Sequence, residues 1–470
     1  MAVAETRAGE EPSGPPPWRT SGRLGFTVDA ATFPDSAGDA LEVYLRLPPA
    51  TIAALAKDPQ GESRLKLSVG LRNQFGAFHH EADQEFVVLP SDTVGFGKVV
   101  VLRFPVKSGA YHLVAKLEDL RSRKRGVAYI GRNVVHSATV EGDLVVPAPS
   151  NGRRLSDIEF VWSDAGKSAA AFRRVGSESS RLPNPERLYG LLAGELRAQF
   201  AVAGEGLATD WHWRARLLDG NGAVVAQRDT TVAAASRLVQ DLTMDISTEP
   251  AGGYELEIQA WREGELAPVT RRARFSIAWH RGSWWRNPRD IEDEVHFLLD
   301  REDEEQAFST KSPGEQEAYL EAFWRERDPT PSTAENEARS TFFQRIEHAN
   351  RTWKRSGLDK GMFTDMGRVY IRHGEPDETL RQVMPAGDQT LLQVLQQIEV
   401  SEDRPTGDVE SKGLGGDMRP FEVWIYENER GRSITSKPDP TSGGRSRKRL
   451  LFLFVDEQGY GDYRLRYSTE

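Results

Sequence analysis

The sequence predicts a multidomain protein: two antiparallel β-sandwiches followed by an α+β domain. Three observations predict it. The chain has 470 residues, and at roughly 100 to 200 residues per domain that length calls for about three domains. Short runs in which apolar and polar residues alternate fill the stretch from Gly22 to Trp279, the period of half-buried strands. After Trp279 the apolar period lengthens to that of helices, and alternating runs return only towards the C-terminus. The expected division is a disordered tail over 1–20, one sandwich over 21–147, a second over 148–280 and the α+β domain over 281–470.

Composition narrows the function classes. Apolar residues make up 38% and glycine adds 42 residues, within the range of soluble globular chains and against disorder of the whole. Lys plus Arg number 61 against 71 Asp plus Glu, a formal charge of −10, so the summed field repels polyanions and nucleic acid is not the expected partner. The absence of cysteine removes disulfides, Cys-ligated zinc, iron–sulfur clusters and thiol nucleophiles. No apolar run approaches the ~20 residues of a spanning helix, the longest being Leu450 to Val455, so no membrane span is expected. The first residues lack the basic and apolar regions of a signal peptide, yet Ala2-Val3-Ala4 before Glu5 reads like the end of an A-x-A cleavage site. On these three small residues alone an ordinary flexible tail is the favoured reading, with export from a longer precursor as the sharper expectation set against it.

The tail, with Pro15-Pro16-Pro17, is too poor in apolar residues to order itself. In the first sandwich the alternating runs are Leu41-Val43-Leu45, Leu65-Leu67-Val69-Leu71, Val100-Leu102-Phe104 and Tyr111-Leu113-Ala115-Leu117, with turn clusters such as Lys57 to Gly61 and Lys107-Ser108-Gly109 between them. The Pro-rich link Val146 to Gly152 interrupts the pattern, as inter-domain links do. The second sandwich carries Trp211-Trp213-Ala215-Leu217, a turn at Asp219-Gly220-Asn221-Gly222, a strand resuming at Val224, and Tyr254-Leu256-Ile258-Ala260. Gly109-Ala110-Tyr111 and Gly252-Gly253-Tyr254 open similar runs in the two regions. A Tyr placed so at a strand entry can bond back to the corner backbone, as in immunoglobulin-like sandwiches.

In the third region Ile291, Val295, Leu298 and Leu299 share one helical face. Ser312-Pro313-Gly314-Glu315 is a capping box, and Ser332 with Glu335 is another, expected to open a long helix with the stripe Phe342, Ile346, Ala349 and Trp353. Strands are expected at Val369 to Ile371, Phe421 to Tyr426, Leu450 to Val455 and Tyr463 to Leu465, with a polar surface excursion between Leu380 and Arg419 that holds a short helix at Leu391 to Ile398. Thr364-Asp365 reads as a turn entering the first of these strands, and His373 to Pro376 as the turn leaving it.

Several spaced elements of this region agree in order: Phe323 to Pro331 (FWRERDPTP), Asn336-Glu337, Arg345, Ala349-Asn350, and Gly361 to Asp377 (GMFTDMGRVYIRHGEPD). Together they resemble the bacterial GWxTD domain over about residues 285–470, and the β-rich regions before them are similar to the modules that precede it. The resemblance implies a bacterial protein, often exported, and attaches no reaction. The position that names the family, Trp, is Met362 here, which weakens any stacking role for it.

Asp328, Asn336, Glu337, Arg345, Asp365, Arg368 and His373 are the candidate functional residues. In a cleft they would offer acids and bases for hydrolysis. The favoured reading is a network of caps and ion pairs, because nothing supplies an activated nucleophile or a metal. On that reading the Asp328 corner, the Asn336-Glu337 helix start and the Thr364-Asp365 turn converge, with Arg345 reaching Asp365 or Asp328, or Arg368 as the positive centre. No G-x-S-x-G, H-E-x-x-H or phosphate loop occurs, Gly413 to Gly416 lacking a following Lys-Ser/Thr, and His79-His80 with Glu81 and Asp83 lacks a distant third ligand. The repeated basic run Arg121 to Arg125 and Arg445 to Arg449 reads as solvated loop or guarded strand edge. Trp279, Trp284 and Trp285, with Arg281 and Arg286, read as a packed inter-domain contact. The expectation is a non-catalytic binding or scaffold protein of the bacterial cell envelope, periplasmic or secreted, with a protein partner and no cofactor or metal. The alternatives are a hydrolase with its site in the third region, and a cytoplasmic location.

Overall fold

The computed structural model describes residues 15–20, 24–35, 38–55, 62–73, 78–93, 96–120, 136–150, 152–162, 181–191, 193–204, 209–265, 267–280, 295–299, 301–333, 336–354, 360–382, 419–427 and 449–470. The chain divides into two compact units, Met1–Glu292 with Ala307–Tyr319, and Asp293–Gln306 with Leu320–Glu470. Antiparallel sheets dominate, with few helices.

The first unit opens with β1 (Trp18–Thr20), β2 (Phe26–Asp35), β3 (Gly38–Leu47), helix α1 (Pro49–Leu55), β4 (Ser63–Asn73), β5 (Phe78–Val88), β6 (Lys98–Val106), β7 (Gly109–Asp119) and β8 (Ser137–Val146). They form two four-stranded sheets, β1-β2-β3-β6 and β5-β4-β7-β8. Leu41, Val43 and Leu45 of one sheet and Leu65, Leu67, Val69, Leu113 and Leu117 of the other share a single core. Trp18 closes it, packed so tightly on Gly142 that any Cβ there would overlap the indole.

Next come β9 (Arg153–Leu155), β10 (Glu159–Trp162), β11 (Leu182–Pro183), β12 (Leu188–Gly190), β13 (Glu195–Gly204), β14 (Trp211–Leu218), β15 (Val224–Val232), β16 (Arg237–Asp245), β17 (Gly252–Arg262) and β18 (Val269–Ala278). They build two further sheets, β11-β10-β13-β16 with β9 on β13, and β12-β18-β17-β14-β15, around a second core. No sheet mixes strands from the two groups among the described residues. The groups also repeat an order. The sequence of pairings β5-β4-β7-β8 recurs as β15-β14-β17-β18, and β2-β3-β6 recurs as β10-β13-β16. The tyrosine corners recur with it: Tyr111 Oη donates to Lys107 O at 2.9 Å and Tyr254 Oη to Pro250 O at 2.9 Å, each four residues upstream.

Half-burial holds for β4, β7 and β14, and fails for β2 and β3, where nearly every residue is buried. Leu41, Val43, Leu45 and Leu47 face the first core, while Glu42, Tyr44 and Arg46 between them lie under the second group of strands. Ala31, Phe33 and Tyr44 pack with Ala201 there. The charges in this seam are matched across it. Arg187 donates to both Asp29 oxygens, Nε at 2.8 Å and Nη2 at 2.6 Å, while Arg46 pairs with Glu186 and lies over the Trp162 ring, which stacks on Phe96 at 4.3 Å. Arg187 is the one non-glycine at positive φ, 50°, among the described residues, a strained conformation held by this bidentate pair. Period-two alternation specifies only the face turned to a strand's own core; tertiary contact decides the other.

The third region contributes α2 (Glu302–Ser309), α3 (Pro313–Arg325), α4 (Glu337–Thr352), α5 (Asp365–His373) and the sheet β19-β20-β21-β22, made of β19 (Glu378–Gln382), β20 (Phe421–Tyr426), β21 (Leu450–Asp456) and β22 (Tyr463–Ser468). The Ser312 capping box forms, its N–H and Oγ–H both donating to Glu315 Oε2, at 2.8 and 2.7 Å. Gly314 lies so close to Ile277 O and Gly252 O that a Cβ there would overlap them, so the start of α3 packs backbone to backbone on β17 and β18. In the second unit, Phe342 and Ala349 of α4 join Phe323, Trp324 and Leu298 in one cluster, with Ile346 and Trp353 packed against it. The two central strands, β20 and β21, are buried on both faces, while the edge strands β19 and β22 are largely exposed. Strand β19, within what the sequence reads as the end of a turn and the start of a polar excursion, pairs with β20.

Candidate functional site

The segment from α4 to β22 contains all the candidate residues except Asp328 and Asn336, which lie just before it, and is built from tight crossings. Asn336, not Ser332, caps α4: its Oδ1 accepts the Arg339 N–H at 2.9 Å while its Nδ2 donates to Trp324 O at 2.6 Å, tying the helix start to the end of α3. After α4 the chain makes a 3₁₀ turn, Gly361–Phe363. Gly361 crosses α4 where a Cβ would overlap Ala349 O, so only glycine fits. Met362 is buried against Phe323, Trp324 and Phe342, and its N–H donates to Asn350 Oδ1 at 2.9 Å. Thr364 Oγ1 accepts the Gly367 N–H at 3.0 Å as the cap of α5 and donates to Gly361 O at 2.7 Å. Asp365, in the first turn of α5 where a carboxylate suits the helix dipole, accepts the Leu465 N–H of β22 at 2.9 Å.

Residues Val369 to Ile371 are therefore helical, not a strand, and Thr364 to Gly367 is a helix start rather than the entry to an extended run. Val369 faces the sheet with Met366, and Ile371, two residues on and on the opposite side, faces the α3–α4 cluster. A helix buried on two sides places apolar residues two apart and imitates strand alternation.

The seven candidates divide into three groups. Asp328, Asn336 and Glu337 gather at the corner before α4: Asp328 Oδ1 accepts the Thr330 N–H at 3.0 Å, and Thr333 Oγ1 donates to Glu337 Oε1 at 3.2 Å. Hydroxyl donors, Thr330 foremost, hold the Glu337 carboxyl below its usual range. Asp365 and Arg368 belong to the first turn of α5, Arg368 exposed. Arg345 and His373 lie at its other end, about 12 Å away at 1.5 Å per residue. There Arg345 Nη1 donates to Ile371 O and Arg372 O, both at 3.1 Å, and the arginine covers Gly374. The expected convergence thus holds for the Asp328 corner and the start of α4 and fails for Thr364-Asp365. Arg345 meets neither Asp365 nor Asp328, because it reaches the opposite end of α5 from Asp365, where the unsatisfied carbonyls closing the helix take its donors.

His373 is 2% exposed, packed beside Tyr426 and Phe452, with Nε2 3.4 Å from Glu470 Oε1. The neighbouring His373 ring and then Arg372 hold the Glu470 carboxyl below its usual range. The pair of His373 and Glu470 is the arrangement nearest to an acid–base dyad among the seven candidates, and its imidazole is buried away from any ligand. In the first unit Glu317 accepts the Trp279 N–H at 2.9 Å and lies 3.1 Å from His280 Nδ1, so this carboxylate pins the end of β18. Trp279 Nε1 donates to Glu249 O at 2.9 Å. The sequence reading missed Asn350, Gly361 as a crossing point, and Asp29 with Arg187; the signal for the last pair was only two charges in apolar surroundings. Trp284, Trp285, Arg281, Arg286, the basic run Arg121 to Arg125, Arg445 to Lys448, Gly413 to Gly416, Leu391 to Ile398, Ala2 to Ala4, Ile291, Glu335 and the side chain of His79 lie outside the described residues.

Residues 283–385 match the family model of the GWxTD domain, the stretch that holds all seven candidates. No curated protein matches the chain. Among solved structures, the chain is similar to red sea bream transglutaminase (6% identity, 56% of this chain and 32% of that one, TM-score 0.17). It is also similar to a glycosyl hydrolase family 2 member from Bacteroides cellulosilyticus (9%, 55% and 35%, TM-score 0.20) and to Bacteroides uniformis β-glucuronidase 2 (8%, 53% and 28%, TM-score 0.18). The chain spans about a third of the length of these proteins, and the likenesses are too slight to carry their fold or chemistry over to it.

Proposed function

The chain is a GWxTD-domain protein, and from that premise we propose that it is a non-catalytic binding or scaffold component of the bacterial cell envelope, periplasmic or secreted, that holds a protein partner. One observation carries the reading. Four polar groups of its motif region are spent on backbone: Asn336 and Thr364 on helix starts, Arg345 on a helix end, Asp365 on an edge strand. Groups saturated in this way position a fold and have little left with which to move protons. The two sandwiches are immunoglobulin-like modules on this reading, supported by their repeated strand order and paired tyrosine corners. Modules of that kind, joined through a buried seam, present fixed outer faces to a partner. A hydrolase would instead depend on the same carboxylates as reacting groups.

The test is a hydrolytic substrate screen run beside chemical crosslinking in intact cells. The scaffold reading expects crosslinked partners in the envelope fraction and no turnover that falls with Glu337→Gln or Asp365→Asn. Turnover abolished by either substitution at unchanged melting temperature would replace the scaffold with the hydrolase.

A further inference from the structure

Where the two sandwiches meet, beside the Pro147 link, the first unit contains a cleft of about 300 Å³. Three arginines line it, Arg153 and Arg154 from β9 and Arg271 from β18, against a single lining carboxylate, Asp39. Just behind the lining, Glu265 and Asp157 face Arg153 and Arg271, so each arginine has one carboxylate neighbour. Two of the arginines are committed: Arg154 Nη1 donates to Asp39 at 2.9 Å, and Arg153 Nη1 to Glu265 at 2.5 Å and Ala267 O at 3.1 Å. Arg271 is not. Its Nη1 donates to the neighbouring Thr270 O at 3.1 Å, while its Nε is buried without a hydrogen-bond partner, 3.7 Å from Asp157. The Thr32 N–H, at 2.8 Å, and the Thr32 hydroxyl, at 2.5 Å, both hold the other Asp157 oxygen, Oδ2, so the contact of Arg271 with Oδ1 is the longest of the three arginine–carboxylate pairings. A buried guanidinium donor left unmatched is costly unless something else satisfies it.

We propose that this cleft binds a small ligand bearing an oxyanion, a carboxylate or a phosphate, with Arg271 as the group that receives its charge. A planar guanidinium donates two parallel bonds to either group, which is the geometry such oxyanions accept. Pro147, Pro268 and Val269 supply an apolar wall for the ligand's body, and the volume sits at the small end of the range for small-molecule pockets. The site touches both sandwiches, so an occupant braces the seam and stabilises the first unit by mass action. The proposal does not depend on whether the third region is catalytic.

The experiment measures melting temperature of the full chain in sodium acetate, sodium phosphate and sodium chloride at matched ionic strength. A saturable rise in acetate or phosphate over chloride is expected, acetate alone marking a carboxylate site and phosphate a phosphate site. Arg271→Gln should abolish the rise. So should Ala148→Trp, which fills the cleft from an exposed position and keeps the test usable if the first variant does not fold. Arg368→Gln, exposed on α5, should retain the rise, so that its loss in the cleft variants alone, and not on removal of any arginine, sets the site apart from a general salt effect on stability. Identical curves in all three salts, or an equal rise in the cleft variants, would overturn the proposal.

Discussion

Within the first sandwich, the two sheets enclose one core and differ on their outer faces. The outer face of β2-β3-β6 lies under the second sandwich, and its charges, Asp29, Glu42 and Arg46, are as buried as the leucines behind them. The outer face of β5-β4-β7-β8 is open, and Lys66, Asp83 and His112 form their ion pairs in reach of water. The same residue types therefore do different work. A charge in the seam is held in a low-dielectric site where its partner is indispensable, whereas a charge on the open face is screened and replaceable. The motif region of the second unit resembles the seam in this respect, with polar groups fixed by specific partners.

Breaking the comparison on its strong side gives the largest effect. Asp29→Ala leaves Arg187 buried, unpaired and at positive φ, and should lower unfolding free energy by about 3–5 kcal/mol in urea denaturation. A loss no greater than that of an exposed pair would show the seam to be wet. At the place where the two sheets of the first sandwich close on Trp18, Gly142→Ala should cost about 1–3 kcal/mol, the usual range for overpacking, with a change in tryptophan fluorescence. Unchanged stability there would mean that β1 sits loosely.

On the open face the effect is small and depends on pH. Asp143 and then Glu141, each hydrogen-bonded to a ring nitrogen, raise the His112 pKa above its ordinary value of 6.5. A group whose folded pKa is raised contributes its full stability below the unfolded value and loses it as pH climbs through the folded one. His112→Gln should therefore lower the melting temperature more at pH 5.5 than at pH 9. An equal difference at the two pH values would remove His112 from the account.

How much of this was legible in the sequence follows the same division. Inner faces were readable because one core imposes period two, as for Trp211 to Leu217 and Tyr254 to Ala260. The tyrosine corners were readable because a glycine, a tyrosine and an alternating run carry their geometry locally. The seam was not, because Glu42-Val43-Tyr44-Leu45-Arg46 has the pattern of an ordinary half-exposed strand, and nothing local announces that a second sandwich will cover it. Helix α5 was misread for a related reason, two buried sides in a short segment, although Thr364, Asp365 and Gly374 were present as its caps. Of the candidate residues, the reading as caps was accessible, whereas which cap each belongs to required the tertiary crossings at Gly361 and Gly374.

The central claim is that the motif's polar residues hold the fold, and Asp365 is its sharpest case. Its carboxylate joins the start of α5 to the Leu465 amide of β22, residues a hundred positions apart. Melting of Asp365→Ala, with hydrogen exchange followed at the Leu465 amide, reads the claim directly. The account predicts a stability loss of about 1–3 kcal/mol, the cost of leaving a backbone donor unmatched, together with faster exchange at that amide. Unchanged melting and unchanged Leu465 exchange would contradict it.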